Sequence, residues 1–144
     1  MSEALPFLIL RSATRLVEGI QAGMVERGFD DVRPSHGFAF TVIAGGGATT
    51  VELARHLGVS KQAASQMVHE LESKGYVRRV AHPEDARAKL VVLTERGVDC
   101  TRAATGAGQD ALDPWLAGLD PEVARQLVAA LATYAGDGPI RPTW

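Results

Sequence analysis

Apolar residues near the start of the chain recur with the period of a helix. Leu5, Leu8, Ile9, Leu16, Ile20 and Met24 fall mainly three, four or seven positions apart, which predicts one face of a long helix stopped near Gly28. Arg33-Pro34-Ser35 reopens the chain, with Pro34 suited to a first helical turn, and Phe38, Val42 and Ile43 form a short apolar stripe before Gly45-Gly46-Gly47. Thr49 then stands three residues ahead of Glu52, the capping-box spacing, and starts a helix that Gly58 limits to about Leu57. Ser60 can cap the next helix, whose buried stripe is Ala64, Met67, Val68 and Leu71 and whose stop is Lys74-Gly75.

After Gly75 the period changes. Tyr76-Val77-Arg78-Arg79-Val80 and Leu90-Val91-Val92-Leu93 are short β-branched runs, and His82-Pro83-Glu84-Asp85-Ala86-Arg87 between them has turn composition, so a hairpin with a longish loop is expected. Thr94 caps a helix that should run to a break at Asp113-Pro114. Gly97, Gly106 and Gly108 weaken that helix by ~1 kcal/mol each relative to alanine, which predicts a partner surface for it. Asp120-Pro121-Glu122 opens a last helix, with Val123, Leu127, Ala130, Leu131 and Tyr134 inward and Gly136 as its stop; the tail over 137–144 reads as loose. The fold class is therefore mainly α with a small β-hairpin (α+β), in the order four helices, hairpin, two helices. There is no internal repeat.

At 144 residues the chain fits one domain, and 46% hydrophobic with 22% charged residues is ordinary globular usage rather than that of a disordered chain. No stretch approaches the ~18 uncharged apolar residues of a membrane span. The start lacks a basic n-region, and Arg11 and Arg15 interrupt the apolar run that follows, so a cytoplasmic location is expected. The single cysteine, Cys100, suits a reducing compartment. A net charge of −2 excludes a uniformly basic coat, yet residues 49–96 carry eight basic against six acidic residues while the flanks are acidic in balance. A local basic patch remains open.

Residues 50–74 carry the most specific signal. Two helices joined by a tight turn need a small residue where they cross, a flexible one in the turn and apolar anchors at fixed offsets; Ala54, Gly58, Leu53, Leu57, Val59, Ala64 and Met67 meet those needs. This is helix-turn-helix spacing, whose second helix can enter a DNA major groove. Its exposed face offers Ser60, Lys61, Gln62, Ser65 and Gln66, short donors and bidentate amides of the kind that read base edges, with Arg55 on the helix before. An ordinary helical hairpin with a solvated polar face has the same spacing. The ribbon that follows gives winged-helix order, in which Arg78, Arg79, Arg87 and Lys89 can serve the sugar-phosphate backbone. Arg87, with Asp85 two residues earlier, suits a narrow minor groove, although a surface ion pair in a loop is the plainer reading of those two.

Val51 to Ser60, Leu71 to Arg79, Pro83 to Lys89 and Leu93-Thr94-Glu95-Arg96-Gly97 together resemble the MarR family of bacterial transcription regulators. The Asp85-x-Arg87 wing and the Leu-Thr-Glu-Arg-Gly helix start are the specific parts. The resemblance implies a single chain with a winged helix-turn-helix over 34–96 and dimerisation helices over 1–30 and 97–136. It also implies a homodimer that binds double-stranded DNA at a palindromic operator, usually as a repressor released by a small molecule.

Family members often bind aromatic acids. Arg11, Arg15 and His36 are the polar groups here that suit such an effector, with Phe38, Phe40 and Trp115 as apolar walls; solvent or intersubunit ion pairs and plain core packing are the alternatives. Relatives that sense oxidants use a cysteine near the first helix, where this chain has none. His36, His56, His69, His82 and Cys100 show no paired ligand spacing, so neither a metal nor a cofactor is expected. Gly45 to Thr50 lacks the lysine of a phosphate loop, and no Gly-x-Ser-x-Gly elbow occurs, so the chain does not read as an enzyme. Two rivals remain: a protein-interaction module that kept the winged fold without reading DNA, and a small-molecule carrier.

Overall fold

The structure, a computed structural model, describes residues 3–142. Its elements run α1 (Leu5–Glu26), α2 (Pro34–Ile43), α3 (Thr50–Leu57), α4 (Lys61–Ser73), β1 (Val77–Ala81), β2 (Lys89–Leu93), α5 (Glu95–Ala117) and α6 (Pro121–Ala135). The described chain forms two compact units. One holds residues up to 30 together with 103–138; the other holds 31–102 together with the tail from 139.

The second unit contains most of the buried core. The α3–α4 pair closes as its caps dictate: Thr49 and Glu52 exchange side-chain-to-backbone bonds, Gly58 sits at φ 67° in the left-handed region, and the Ser60 hydroxyl accepts the Ala63 N–H. Leu53, Ala54 and Leu57 of α3 and Ala64, Val68 and Leu71 of α4 are buried. Burying each large aliphatic of that set stabilises the unit by about 1.5–3 kcal/mol, an upper figure.

β1 and β2 pair antiparallel from Val77↔Leu93 to Ala81↔Lys89. A third segment joins them. Ala48 bridges Val91 through two backbone bonds of 3.0 and 2.8 Å, made accessible by Gly47 at φ 94°, where a Cβ would meet Leu90 and the Val91 carbonyl at 2.9 Å. The triple glycine reads from sequence as a loop, yet it also brings the chain against the hairpin.

Three expectations need correction or addition. First, α5 does not break at Asp113-Pro114 but continues through Pro114 to Ala117. Pro114 lies close to the helix end, so only one ladder bond is lost, and Gly118 and Leu119 close the last turn by donating to the carbonyls of Trp115 and Leu116. Secondly, Gly97 is not simply a weak helical residue: a Cβ there would lie 2.2 Å from the Tyr76 carbonyl oxygen. Thirdly, the α6 stripe is not inward, because no residue of α6 is buried and Tyr134 is 85% exposed. In the same unit α1 buries only Met24, and Phe7 is 68% exposed. What α1 does pack is α5, where Gly23 and Gly19 stand close to the Ala107 and Ala111 methyls.

Candidate nucleic-acid interface

The α4 face that remains outside the core is the one expected to meet base edges. Ala64, Val68 and Leu71 point inward at helical spacing, which leaves Lys61, Gln62, Ser65 and Gln66 exposed with Ser60 at the N-cap. Arg55 is exposed on α3, within its last turn. Ser60 also has a structural task, since its oxygen accepts the Ala63 N–H at 3.0 Å; its own hydroxyl hydrogen can still turn outward.

The hairpin places its cations on different faces. Arg78 and Arg79 pair with Val92 and Val91, so strand alternation sends them to opposite sides. Arg79 Nε stands 3.7 Å from Glu72 Oε2 on α4. Arg87 and Lys89 are exposed at the loop and at the start of β2. Asp85 Oδ1 accepts the backbone N–H of Arg87 at 2.9 Å, so the aspartate shapes the loop that carries the guanidinium. All eleven residues expected at a DNA surface, Asp85 included, are therefore exposed within one compact unit.

The six residues expected around an effector are placed differently. His36 is buried, with its ring occupied by Arg33, and Phe40 is buried with its ring 5.9 Å from that of Tyr76. Both serve the core because the short α2 has its apolar face against α3 and the hairpin. Phe38 is half-buried in the same unit. Arg11, Arg15 and Trp115 belong to the other unit, where the arginines are exposed and the tryptophan is 54% exposed. An open, largely apolar groove of about 440 Å³ is lined by Ile43, Ala44, Gly46, Gly47, Val92, Leu93, Val98 and Thr101, and none of the six is in it.

Sequence reasoning missed the polar cluster beneath α4. Tyr76 is fully buried; its hydroxyl donates to Asp31 Oδ1 and accepts from Arg96 at 3.0 Å, while the Arg96 guanidinium lies 4.5 Å from the ring centre. Burial and the neighbouring Asp31 raise the Tyr76 phenol, and the bond from Tyr76 lowers the Asp31 carboxyl. Glu70 is held below the usual carboxylate range, first by its bond from Lys74. Only the Glu70-x-x-x-Lys74 spacing announced any of this. Burial pushes the Cys100 thiol up to about 11, which keeps it from being a thiolate near neutrality. No three His, Cys, Asp or Glu among the described residues converge as metal ligands. The tail also meets this unit: the Ile140 carbonyl accepts His56 Nε2 at 2.8 Å.

A comparison with known families matches residues 30–88 to the MarR family model. That stretch is similar to the MarR family. An HTH-type transcriptional regulator of Bacillus subtilis, YdgJ, is 31% identical over 81 residues, 56% of this chain and 49% of that protein. A riboflavin kinase of Thermoplasma volcanium is 39% identical over 51 residues, 35% of this chain and 22% of the kinase. The matches thus span half or less of the curated relatives' length. Among solved structures, apo MarR of E. coli has a TM-score of 0.73 at 24% identity, covering 94% of this chain and 100% of that one. A point mutant of MepR of S. aureus, bound to an oligodeoxyribonucleotide, has 0.66 at 18%, covering 93% and 97%. CouR of Rhodococcus jostii, bound to p-coumaroyl-CoA, has 0.66 at 23%, covering 96% of each. These structures share the MarR fold with this chain. No described helix is long and apolar enough to cross a membrane.

Proposed function

We propose that this MarR-type chain is a sequence-specific DNA-binding transcriptional regulator that acts as a homodimer, in the simplest case as a repressor on a two-fold symmetric operator. One observation carries the reading. The polar face of α4 and the Arg87–Lys89 side of the hairpin are exposed on one unit, while the apolar positions of both elements pack beneath them. In this reading α4 enters the major groove with Gln62 and Gln66 on base edges, and Arg87 probes the adjacent minor groove. Arg55, Lys61, Arg78 and Lys89 neutralise phosphates and supply much of the affinity.

The homodimer is supported by the apolar surface of the other unit. Leu5, Phe7, Leu8 and Leu10 of α1 and Val123, Val128, Leu131 and Tyr134 of α6 are exposed, more apolar side chains than a solitary pair of helices keeps in water. A second copy covers them by an isologous contact. Release by a small acidic or aromatic effector is the finer part of the proposal. It rests on the ligand-bound relative and on Arg11 and Arg15, whose guanidinium forks suit a carboxylate.

Titration against a duplex selected from random DNA tests the reading. Affinity should fall steeply with salt, and Arg87→Ala, which removes two cations from a dimer, should flatten the log–log slope by about 2. The variant should melt like the parent, because Arg87 is exposed and its loop bond is made by the backbone. An unchanged slope and affinity would remove Arg87 from the interface.

A further inference from the structure

His36 lies in the first turn of α2 with 0% of its surface exposed. Its Nδ1 accepts the backbone N–H of Arg33 at 3.1 Å, so that nitrogen carries no hydrogen and the neutral ring's one hydrogen is on Nε2. Nε2–H faces Glu70 Oε2 at 3.7 Å; Arg33 Nη2, 3.2 Å from Nε2, is itself a donor, and its hydrogen bond goes to Glu70 rather than to the ring. Glu70, on α4, is shared further: Oε2 accepts Arg33 Nη2 at 2.7 Å, and Oε1 accepts Lys74 Nζ at 3.0 Å. Lys74 also donates to the Asp31 carbonyl at 2.7 Å. One buried ring thus stands between the start of α2 and the C-terminal half of α4.

We propose that His36 is a proton-operated positioning residue, which seats α4 against the start of α2 while the ring is neutral and loosens that seat when the ring takes up a proton. A proton from solvent goes to Nδ1, the ring nitrogen that holds the lone pair. Nδ1–H then points at the Arg33 N–H, a donor against a donor, and the α2 N-terminus loses its acceptor. The new cation stands beside the Arg33 guanidinium and competes with it for Glu70 Oε2, an oxygen already engaged. The charged groups facing the ring are Arg33 before α2 and Glu70 and Lys74 at the end of α4, two cations against one carboxylate.

Burial, then Arg33, holds His36 below the usual imidazole range, so uptake occurs in acid below about pH 6.5. Asp31 and Glu70 are held below the usual carboxylate range and Tyr76 above the usual phenol range, so these three keep their protonation state in mild acid. Of these four groups, His36 is the one that changes there. The effect on DNA affinity rests on the function proposed above; the loosening of α4 does not.

The test compares the full chain with His36→Asn, whose amide oxygen can stand in for Nδ1 and does not titrate. Hydrogen exchange followed by NMR at about pH 7.5 and at the acid pH where the ring nitrogen shifts show His36 protonated should show protection at the Arg33 amide and at the last turn of α4 falling by about tenfold or more in the parent, beyond the intrinsic pH effect. The variant should hold its protection. Affinity for the selected duplex should fall in the parent by a similar factor and stay level in the variant. Protection that is unchanged in the parent, or lost equally in both proteins, overturns the proposal. Protection that behaves as expected with no duplex bound at either pH leaves the seat standing and removes the DNA reading. Should the variant fail to fold, the parent's own ring nitrogen shifts decide: Nδ1 must gain its hydrogen in step with the loss of Arg33 protection, and a ring that stays neutral until global unfolding overturns the proposal.

Discussion

Gly97→Ala isolates the closest approach in the winged unit. The added methyl would stand 2.2 Å from the Tyr76 carbonyl oxygen, 3.2 Å from that carbonyl carbon and 3.1 Å from a Leu93 methyl. Two of those three atoms are backbone, so no side chain can swing aside. The same carbonyl accepts the Thr94 N–H at 3.0 Å, and Thr94 in turn caps α5 by accepting the Gly97 N–H. Relief therefore means moving α5 off the hairpin by roughly 1 Å and breaking the Thr94 bond. Overpacking costs about 1–3 kcal/mol. The carbonyl left without its partner adds about 1–3 kcal/mol, and the gain in helix propensity returns about 1 kcal/mol. The net loss is on the order of 1–5 kcal/mol, a large part of the stability of a domain of this size.

Urea unfolding followed by circular dichroism measures it, with Gly106→Ala as the internal control. A Cβ at Gly106 would meet only the Arg27 side chain, at 3.5 Å or more, so that variant should gain up to about 1 kcal/mol from propensity alone. Opposite signs for two Gly→Ala changes in one helix are the expected result. Gly97→Ala at or above parental stability would refute the reasoning, because propensity would then outweigh a contact that no L-residue tolerates.

Two further outcomes follow from the same structure. Leu131→Glu puts a charge into an α6 stripe that stands exposed among the described residues, so sedimentation should show a dimer turned monomeric; a variant that stays dimeric moves the interface elsewhere. Asp31 has a folded pKa lowered from 3.8, first by its bond from Tyr76, so its contribution is complete above that value and is lost as pH falls through the lower folded value. Denaturation midpoints for Asp31→Asn and the parent should therefore converge as the solution is acidified below about pH 4, and a difference that grows there would reverse the sign.

The helix-turn-helix and the hairpin were legible because their signals are local. Capping at Thr49 and Ser60, the left-handed Gly58 and the alternation around Val77 and Val91 each lie within a few residues of the feature they determine. Contacts made across the fold left no such trace. His36 carries no mark in sequence that separates a surface ligand from a buried ring, and its role depends on Arg33 and on Glu70 thirty-four residues away. Gly97 looks like a weak helical position until Tyr76 is brought against it. The α6 stripe was readable as apolar, but the direction it faces depends on what covers it, and none of its residues is buried among the described residues. The eleven exposed polar residues of α3, α4 and the hairpin could be named in advance because the core positions between them were already assigned. Their action on DNA is a proposal that rests on chemistry beyond the fold.

The most direct measurement of that proposal is selection of bound duplexes from a random pool by the purified protein, followed by sequencing of the winners. The expected winner is a two-fold symmetric motif whose half-sites are centred about 10 base pairs apart, the spacing of two α4 helices entering successive major-groove turns. A folded dimer that enriches no sequence, and binds all duplexes alike or none, would contradict it.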